Sequence, residues 1–233
     1  MLVRADGSVL GSLGSAALDA TVNAATSDTL RRHATDTIYF DTQGRPITRQ
    51  ATASDSYFQI MLEVHELPAT LLVIGCGHVG KALATIGHLC GFSIEIVDDR
   101  PEFASAERFP EADRITCGRF EDVLRDYPID SNTYVVCVTR GHKHDQTSLS
   151  LIAESPAAYV GMIGSKRRVR AVLQYLVAEG MPVAAAERVH TPIGLDIGAE
   201  TPEEIAVSIM AELIQSRRGG TGEGMRDMKR TRR

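Results

Sequence analysis

The pattern of hydrophobic and polar positions changes character near residue 67 of this chain. Before that point the apolar residues come in short, strand-like pieces, at residues 2–3, 8–10, 37–40 and 57–64. Residues 16–30 carry a weakly amphipathic helical pattern, and Asp6-Gly7 favours a hairpin turn. Residues 1–66 are therefore predicted to form a small α+β unit.

After Pro68 the apolar residues form continuous runs, as expected for strands that are buried on both faces. These runs lie at residues 71–74, 93–97, around 115, 134–138 and 159–163. Helical patterns occur between and after them, at residues 79–89, 120–127, 146–153 and 167–179. A last helix is expected to begin at Thr201, which forms a capping box with Glu204. Alternating strands and helices at this spacing predict a parallel sheet with helices on both faces.

Composition and charge narrow the classes of function. Of the 233 residues, 43% are apolar and 24% are charged, a balance typical of globular proteins. Residues 217–233 hold seven basic and two acidic side chains, which leaves the rest of the chain with a net charge of −10. An acidic body argues against nucleic-acid binding, because phosphate contacts need clustered Lys and Arg. The basic tail is expected to be disordered and solvated.

The sequence also predicts where the protein resides. The longest stretch without a charged side chain has 14 residues, 67–80, whereas a membrane-spanning helix needs about 20. The first ten residues lack the apolar segment of a secretory signal. We therefore expect a cytoplasmic protein with no membrane partner. The cysteines show no C-x-x-C pair, so each is expected to be a small buried hydrophobe; they are Cys76, Cys90, Cys117 and Cys137.

A glycine-rich loop follows the first buried strand and opens the next helix. It matches G-x-G-x-x-G in the six residues Gly75-Cys76-Gly77-His78-Val79-Gly80. Gly75 is expected to make the tight turn, Gly77 to let a pyrophosphate approach, and Gly80 to let helix and strand pack closely. The free N–H groups at the helix start favour an anion, and His78 either caps the helix or touches a ligand phosphate. The alternative is a glycine turn that holds no ligand.

This loop, together with the alternating elements, predicts the fold class. It is α/β, with a Rossmann-like parallel sheet and a small N-terminal α+β part. The predicted boundaries are 1–66 for the N-terminal part, 67–216 for the nucleotide-binding domain and 217–233 for the tail.

An acidic residue ends the second buried strand, 23 positions after Gly75. A carboxylate at that place bonds a ribose 2′-hydroxyl and repels a 2′-phosphate. We take Asp98 rather than Asp99 as that residue, because the alternation of the strand ends there. Asp98 therefore predicts a dinucleotide-like ligand, with NAD favoured over NADP.

Polar and cationic side chains follow two further strands, at the edge where ligands of open α/β sheets bind. They are Thr139, Arg140, Gly141 and His142 after one strand, and Gly164, Ser165 and Lys166 after the next. Such groups at a helix entrance suit phosphate. Arg140 and Ser165 are predicted to complete an anion cradle that faces Gly77. The alternatives are that Arg140 braces its loop by pairing with Asp145 or another loop carboxylate, and that Lys166, Arg167 and Arg168 form an ordinary charged helix face.

The residues show no catalytic constellation. His142, His144 and Asp145 raise the question of a metal site, but a capped and solvated turn is the favoured interpretation, and no metal ligand is predicted. The chain has no G-x-S-x-G elbow, no H-E-x-x-H and no Cys beside a local base. A ligand-handling protein is therefore favoured over an enzyme.

Five stretches, in order, resemble the XdhC/CoxI family of accessory proteins of xanthine dehydrogenase and related molybdenum hydroxylases. They are residues 72–80, 97–100, 139–142 with Asp145, 159–165 and 192–206, and the resemblance covers nearly all of 67–217. It implies binding of the molybdenum cofactor (molybdopterin) or its dinucleotide form, and help in its maturation or insertion; NAD is the other expected ligand. The implied cofactor-binding residues are Gly75, Gly77, His78, Val79, Gly80, Asp98, Arg100, Thr139, Arg140, Gly141, His142, Gly164 and Ser165.

The resemblance also implies partners. The first is a xanthine dehydrogenase-like apo-enzyme, and a sulfur-donating cysteine desulfurase and a homodimer are further expectations. Residues 6–14 resemble the later half of the family's first domain, so the chain is expected to start part-way into it. Ala17 and Ser54 stand where many members carry cysteines. An NAD-dependent oxidoreductase and a nucleotide-sensing regulator stay open as other functions.

Overall fold

The chain divides between Leu67 and Pro68 into two units, Met1–Leu67 and Pro68–Arg233. The structure, a computed structural model, describes residues 1–4, 6–32, 35–48, 57–65 and 67–226. Ser54, one of the two positions where relatives carry cysteines, lies outside these residues. Ala17 lies in the first helix.

The first unit contains a two-stranded hairpin, a helix and a three-stranded antiparallel sheet. Its elements are β1 (Leu2–Val3), β2 (Val9–Leu10), α1 (Ala16–Arg32), β3 (Asp36–Asp41), β4 (Pro46–Ile47) and β5 (Tyr57–Leu62). The sheet order is β4-β3-β5, with Phe40 of β3 fully buried. The α+β prediction is thus confirmed, although β4 was missed because two residues carry no readable alternation.

The second unit contains a six-stranded parallel sheet. Its strands are β6 (Thr70–Ile74), β7 (Ser93–Asp98), β8 (Arg114–Cys117), β9 (Thr133–Cys137), β10 (Tyr159–Met162) and β11 (Val189–His190). Its helices are α2 (His78–Leu89), α3 (Phe120–Leu124), α4 (His142–Ile152), α5 (Lys166–Ala178), α6 (Val183–Glu187) and α7 (Pro202–Arg218). Every strand pair in the sheet is parallel, in the order β11-β10-β9-β6-β7-β8.

This strand order confirms the Rossmann-like fold, because the chain runs outward from β6 to one edge and then returns to build the other half from β9. One apolar cluster packs α3, α4, α5 and α6 on one face of the sheet, and a second packs α2 and α7 on the other. The continuous apolar strands follow from this burial on both faces. The reversal of strand order lies between β6 and β9, where such folds bind ligands.

Two parts of the second unit differ from the expected pattern. The connection from β7 to β8 is a series of turns rather than a helix, held where the Asp113 N–H donates to the Ile94 carbonyl at 2.8 Å. The short elements α6 and β11 were also missed. The helix α6 spans less than two turns and the strand β11 has only two residues, so neither is long enough to show a hydrophobic period.

The last helix extends into the segment predicted as a tail. Thr201 and Glu204 form the expected capping box at its start. Arg217 and Arg218 are its last residues, and Gly219 ends it with φ of +69°. The helix runs two residues past the predicted boundary because the left-handed glycine, rather than the charge run, stops it. No helix among the described residues has the length and hydrophobicity needed to span a membrane.

Candidate functional site

A cavity of about 240 Å³ opens at the carboxyl edge of the sheet, where the strand order reverses between β6 and β9. Loops after β6, β7 and β9 form most of its wall. Seven of the predicted site residues line it: Gly75, Gly77, His78, Asp98, Arg100, Thr139 and Arg140. Its other lining residues are Asp99, Phe103, Phe120 and Val138.

The glycine loop has the geometry that its sequence suggested. Gly75 has φ of +102°, and a Cβ there would lie 2.7 Å from the carbonyl oxygen of Val138. A Cβ on Gly80 would lie 2.1 Å from the carbonyl oxygen of Gly75. Around Gly77, in contrast, there is open space. Gly75 and Gly80 are therefore required by packing, while Gly77 leaves room beside the cavity.

The start of α2 adds a positive end to the site. Gly77 is the N-cap and provides no side chain to bond the first N–H groups of the helix. His78 is exposed at the first helical position and lines the cavity. Because helix N-termini carry unsatisfied N–H groups and a partial positive charge, this end favours an anion.

Asp98 is almost completely buried and is held by groups of the chain itself. Its Oδ2 accepts the Cys76 N–H at 2.7 Å and Arg100 Nη2 at 3.0 Å, while its Oδ1 accepts Arg100 N at 3.0 Å and Nε at 2.9 Å. Burial by itself raises the pKa of the Asp98 carboxyl, but the bonds from Arg100 and the Cys76 N–H outweigh it and hold the pKa below its ordinary value. Asp98 was expected to accept a hydrogen bond from a ribose hydroxyl, but its carboxylate oxygens already accept hydrogen bonds from Cys76 and Arg100.

Arginines of the turns after β7 pack on aromatic rings beside the loop. The Arg100 guanidinium carbon lies 3.5 Å from the Phe103 ring centroid, and that of Arg108 lies 5.1 Å from it. Arg108 Nε donates to the Cys76 carbonyl at 3.3 Å. Such stacking limits the rotamers of both guanidinium groups and so orients their donors.

The loop after β9 is braced by a buried carboxylate. Asp145, fully buried in α4, accepts the Thr139 hydroxyl on one oxygen and Arg168 Nη2 of α5 on the other. Arg140 is exposed, and within residues 67–226 it has no ion pair. The alternative in which Arg140 pairs with Asp145 or another loop carboxylate is therefore wrong: Asp145 pairs with Arg168 instead. Arg140 lines the cavity.

Of the other six predicted site residues, five lie outside the cavity lining, and the structure does not describe the side chain of the sixth, His142. Gly80 packs under the loop and Val79 against the apolar cluster of the α2 face. Gly141 caps α4 with φ of +95°, and the side chain of His142 lies outside the described part of the structure. The remaining two, Gly164 and Ser165, precede α5, where the Ser165 hydroxyl accepts the Arg168 N–H at 3.3 Å. This corrects the predicted cradle: Ser165 is a helix cap and is not part of the lining.

The described residues contain no group of three or more potential metal ligands among His, Cys, Asp and Glu. His144 packs edge-on against Phe120 at 5.3 Å. Two cysteine predictions need correction, since Cys90 and Cys117 are exposed: one follows α2 and the other ends the edge strand β8. Cys76 is buried, and burial together with the nearby Asp98 charge raises the pKa of its thiol to about 12.

Sequence reasoning missed Phe103, Phe120 and Arg108. They come from turns and a five-residue helix, where no period marks one face. The one available signal was position, because Phe103 and Arg108 follow the acidic end of β7 closely. Val138 could have been named, since it directly follows the last residue of β9.

The strand order and the cavity at the reversal define a Rossmann-type α/β domain whose cavity lies where such folds bind ligands. Residues 71–213 match the family described as the XdhC Rossmann domain. The chain belongs to the XdhC family, which confirms the resemblance seen in its motifs.

Two curated relatives and one solved structure are similar to the chain. It is 31% identical over 227 residues to YqeB, an uncharacterized protein of Escherichia coli K12; the match covers 95% of this chain and 41% of that protein. It is 33% identical over 148 residues to a probable xanthine dehydrogenase subunit from Bacillus subtilis 168, covering 64% of this chain and 43% of that protein. The chain thus spans less than half the length of these relatives.

The solved structure is described as a xanthine dehydrogenase from Bacillus halodurans. The TM-score is 0.61 at 25% identity, and the alignment covers 85% of this chain and 67% of that one. This similarity extends beyond the sheet domain, because 85% of the chain exceeds the share in residues 68–233.

Proposed function

We propose that this protein is an accessory protein that holds the molybdenum cofactor, as molybdopterin or its dinucleotide form, for a xanthine dehydrogenase-like molybdenum hydroxylase. Membership of the XdhC family and the names of two similar proteins support the link to xanthine dehydrogenase. The observation that carries the binding step is the cavity at the strand reversal, where Arg100 and Arg140 accompany the start of α2.

The residues present fit the phosphate end of such a cofactor. Arg140 is a free guanidinium fork, which binds phosphate oxygens in pairs. The open space at Gly77 lets a phosphate reach the N–H groups of α2. The Asp145 bridge to Thr139 and Arg168 holds the loop that carries Arg140 in place.

The cofactor, when bound, supplies the metal centre for the client enzyme's hydroxylation chemistry. Among the described residues the cavity lining contains no cysteine, and Cys76 beside it is a protonated thiol at neutral pH. The chain's own groups therefore hold the ligand by its anionic part. Release to a client requires only that these hydrogen bonds exchange, since no covalent anchor is involved.

The experiment is expression in cells that make the cofactor, followed by measurement of molybdenum and released pterin in the purified chain. Wild type is expected to retain both, and Arg140→Ala is expected to retain about tenfold less, the effect of losing a hydrogen bond to a charged group. The matched control is Arg170→Ala, an exposed arginine on α5 away from the cavity. Wild type without molybdenum or pterin contradicts the proposal.

Transfer is tested by adding the loaded protein to an apo-hydroxylase and following the appearance of its activity. Faster activation than with free cofactor is expected. A sulfur-donating cysteine desulfurase and a homodimer stay predictions, which co-purification and sedimentation measure. A nucleotide-sensing regulator is the second candidate, favoured by the glycine loop at the strand reversal.

A further inference from the structure

The Asp98 carboxylate has no capacity left for a ligand. A carboxylate offers about four lone-pair sites, and each oxygen of Asp98 already accepts two hydrogen bonds. Only 1% of the residue is exposed. A ribose diol at this place would have to displace Arg100 from a bidentate pair in a buried environment, which is costly.

Arg100, unlike Asp98, has hydrogen-bonding groups that the described part of the chain does not use. A guanidinium has five N–H donors, and Nε and Nη2 each use one on Asp98, so three N–H groups are uncommitted. Phe103 covers one face of the guanidinium, and Arg100 lines the cavity. Its donors therefore lie in a fixed plane at the end of the second sheet strand, where a ribose lies in dinucleotide-binding folds.

We infer that Arg100, rather than Asp98, determines ligand selectivity, and that the site takes a nucleotide whose ribose carries a phosphate monoester, the class that includes NADP. A monoester presents two or three acceptor oxygens to a planar fork and gains charge-assisted bonds that a diol does not. This preference is opposite to that predicted when Asp98 was assigned to the ribose. The inference concerns the cavity of the proposed function and rests on it only for the place of the ligand.

Asp99 is the rival acceptor for a free diol, since it lines the same cavity and is partly exposed. Its Oδ1 lies 3.8 Å from Arg100 Nε, so part of its charge is offset by the same guanidinium. If Asp99 selects the ligand, Asp99→Asn weakens NAD binding. If Arg100 selects it, Asp99→Asn strengthens NADP binding, because a like charge next to the phosphate is removed.

The test is calorimetric titration of the full chain with NADP⁺ and, separately, with NAD⁺. Wild type is expected to bind NADP⁺ about tenfold to 100-fold more tightly, as for a hydrogen bond between charged groups. Arg100→Ala is expected to abolish this ratio or invert it, because the freed Asp98 then accepts a diol. Arg100→Lys keeps the charge without the fork and is expected to fall between them. Arg170→Ala is the control and keeps the wild-type ratio.

Arg100→Ala leaves a buried carboxylate without its cation, so folding is checked by thermal melting. If that variant does not fold, Asp98→Asn tests which residue determines the selectivity. The preference for NADP⁺ persists if Arg100 determines it, and NAD⁺ binding weakens if Asp98 determines it. Equal affinities, tighter NAD⁺ binding, or no binding of either compound by wild type overturns the inference. The affinity ratio for NADP⁺ and NAD⁺ and the retention of molybdenum are measured in separate assays. A failure of this inference can therefore be distinguished from a failure of the proposed function.

Discussion

The Cα of Gly80 faces the carbonyl oxygen of Gly75 so closely that a Cβ on Gly80 would lie 2.1 Å from that oxygen. Both groups belong to backbone, one directly after β6 and one in the first turn of α2. Neither can rotate away as a side chain does. The contact therefore sets the distance between strand and helix at the point where the cavity begins.

This contact predicts that alanine destabilises the fold at Gly80 but not at Gly77. Gly80→Ala is expected to lower the free energy of unfolding by about 1–3 kcal/mol, because the methyl group must push strand and helix apart. Gly77→Ala is expected to change it by less than about 0.5 kcal/mol, since Gly77 has φ of −66° and faces open space. Urea unfolding of both variants measures this, and equal midpoints would contradict the assignment.

Gly77→Val tests whether the open space at the loop receives a ligand. The side chain is expected to fill the approach to the α2 N–H groups and to weaken nucleotide binding at least about tenfold, the scale of one lost charged hydrogen bond. Gly77→Ala should fall between wild type and Gly77→Val. Calorimetry with NADP⁺ measures all three, and unchanged affinity in Gly77→Val would show that the loop is not the site.

Arg140 and Arg168 are expected to separate binding from stability. Arg140→Ala should weaken anion binding by about 1.5–3 kcal/mol and leave the melting temperature unchanged, because no ion pair within residues 67–226 is lost. Arg168→Ala should destabilise the fold by about 1–3 kcal/mol, because Asp145 stays buried without its cation. Measuring both quantities on both variants is decisive; a lower melting temperature for Arg140→Ala alone would reverse the assignment.

The Asp98–Arg100 ion pair predicts that the free energy of unfolding falls in acid. Because its pKa is lower in the folded chain than in the unfolded one, Asp98 stabilises the fold above its unfolded pKa of about 4. This contribution is lost as the pH falls through the lower, folded value. Asp98→Asn, which cannot titrate, should show a smaller loss between neutral and acidic pH in urea unfolding. Asp126→Asn, an exposed control, should follow wild type.

The four cysteines should divide into two reactivity classes. Cys90 and Cys117 are exposed, whereas Cys76 and Cys137 are buried and burial raises the pKa of both thiols. Alkylation of the native protein near neutral pH, read by peptide mass spectrometry, should label the first two and leave the others until the chain unfolds. Rapid labelling of Cys76 would show that its thiol is accessible and would reopen a covalent role.

Much of the fold could be predicted from local features of the sequence. Apolar runs of four to five residues mark buried strands, and the helices of the second unit show a separate period. The Gly75–Gly80 loop and the Thr201–Glu204 capping box each depend on residues at most five positions apart. Such features act through short-range sterics and hydrogen bonds, so they are visible without knowledge of the tertiary contacts. The sheet, its helices and the place of the cavity follow from them.

The partners of the site side chains were decided only by the tertiary structure. Asp98 meets the Cys76 N–H across 22 positions, and Asp145 meets Arg168 across 23. These contacts bring together the ends of different strands, where no periodic pattern says which donor reaches which carboxylate. The sequence alone therefore determined which polar groups gather at the sheet edge. The tertiary contacts decided how these groups pair: Arg100 pairs with Asp98, Arg168 pairs with Asp145, and Arg140 lines the cavity.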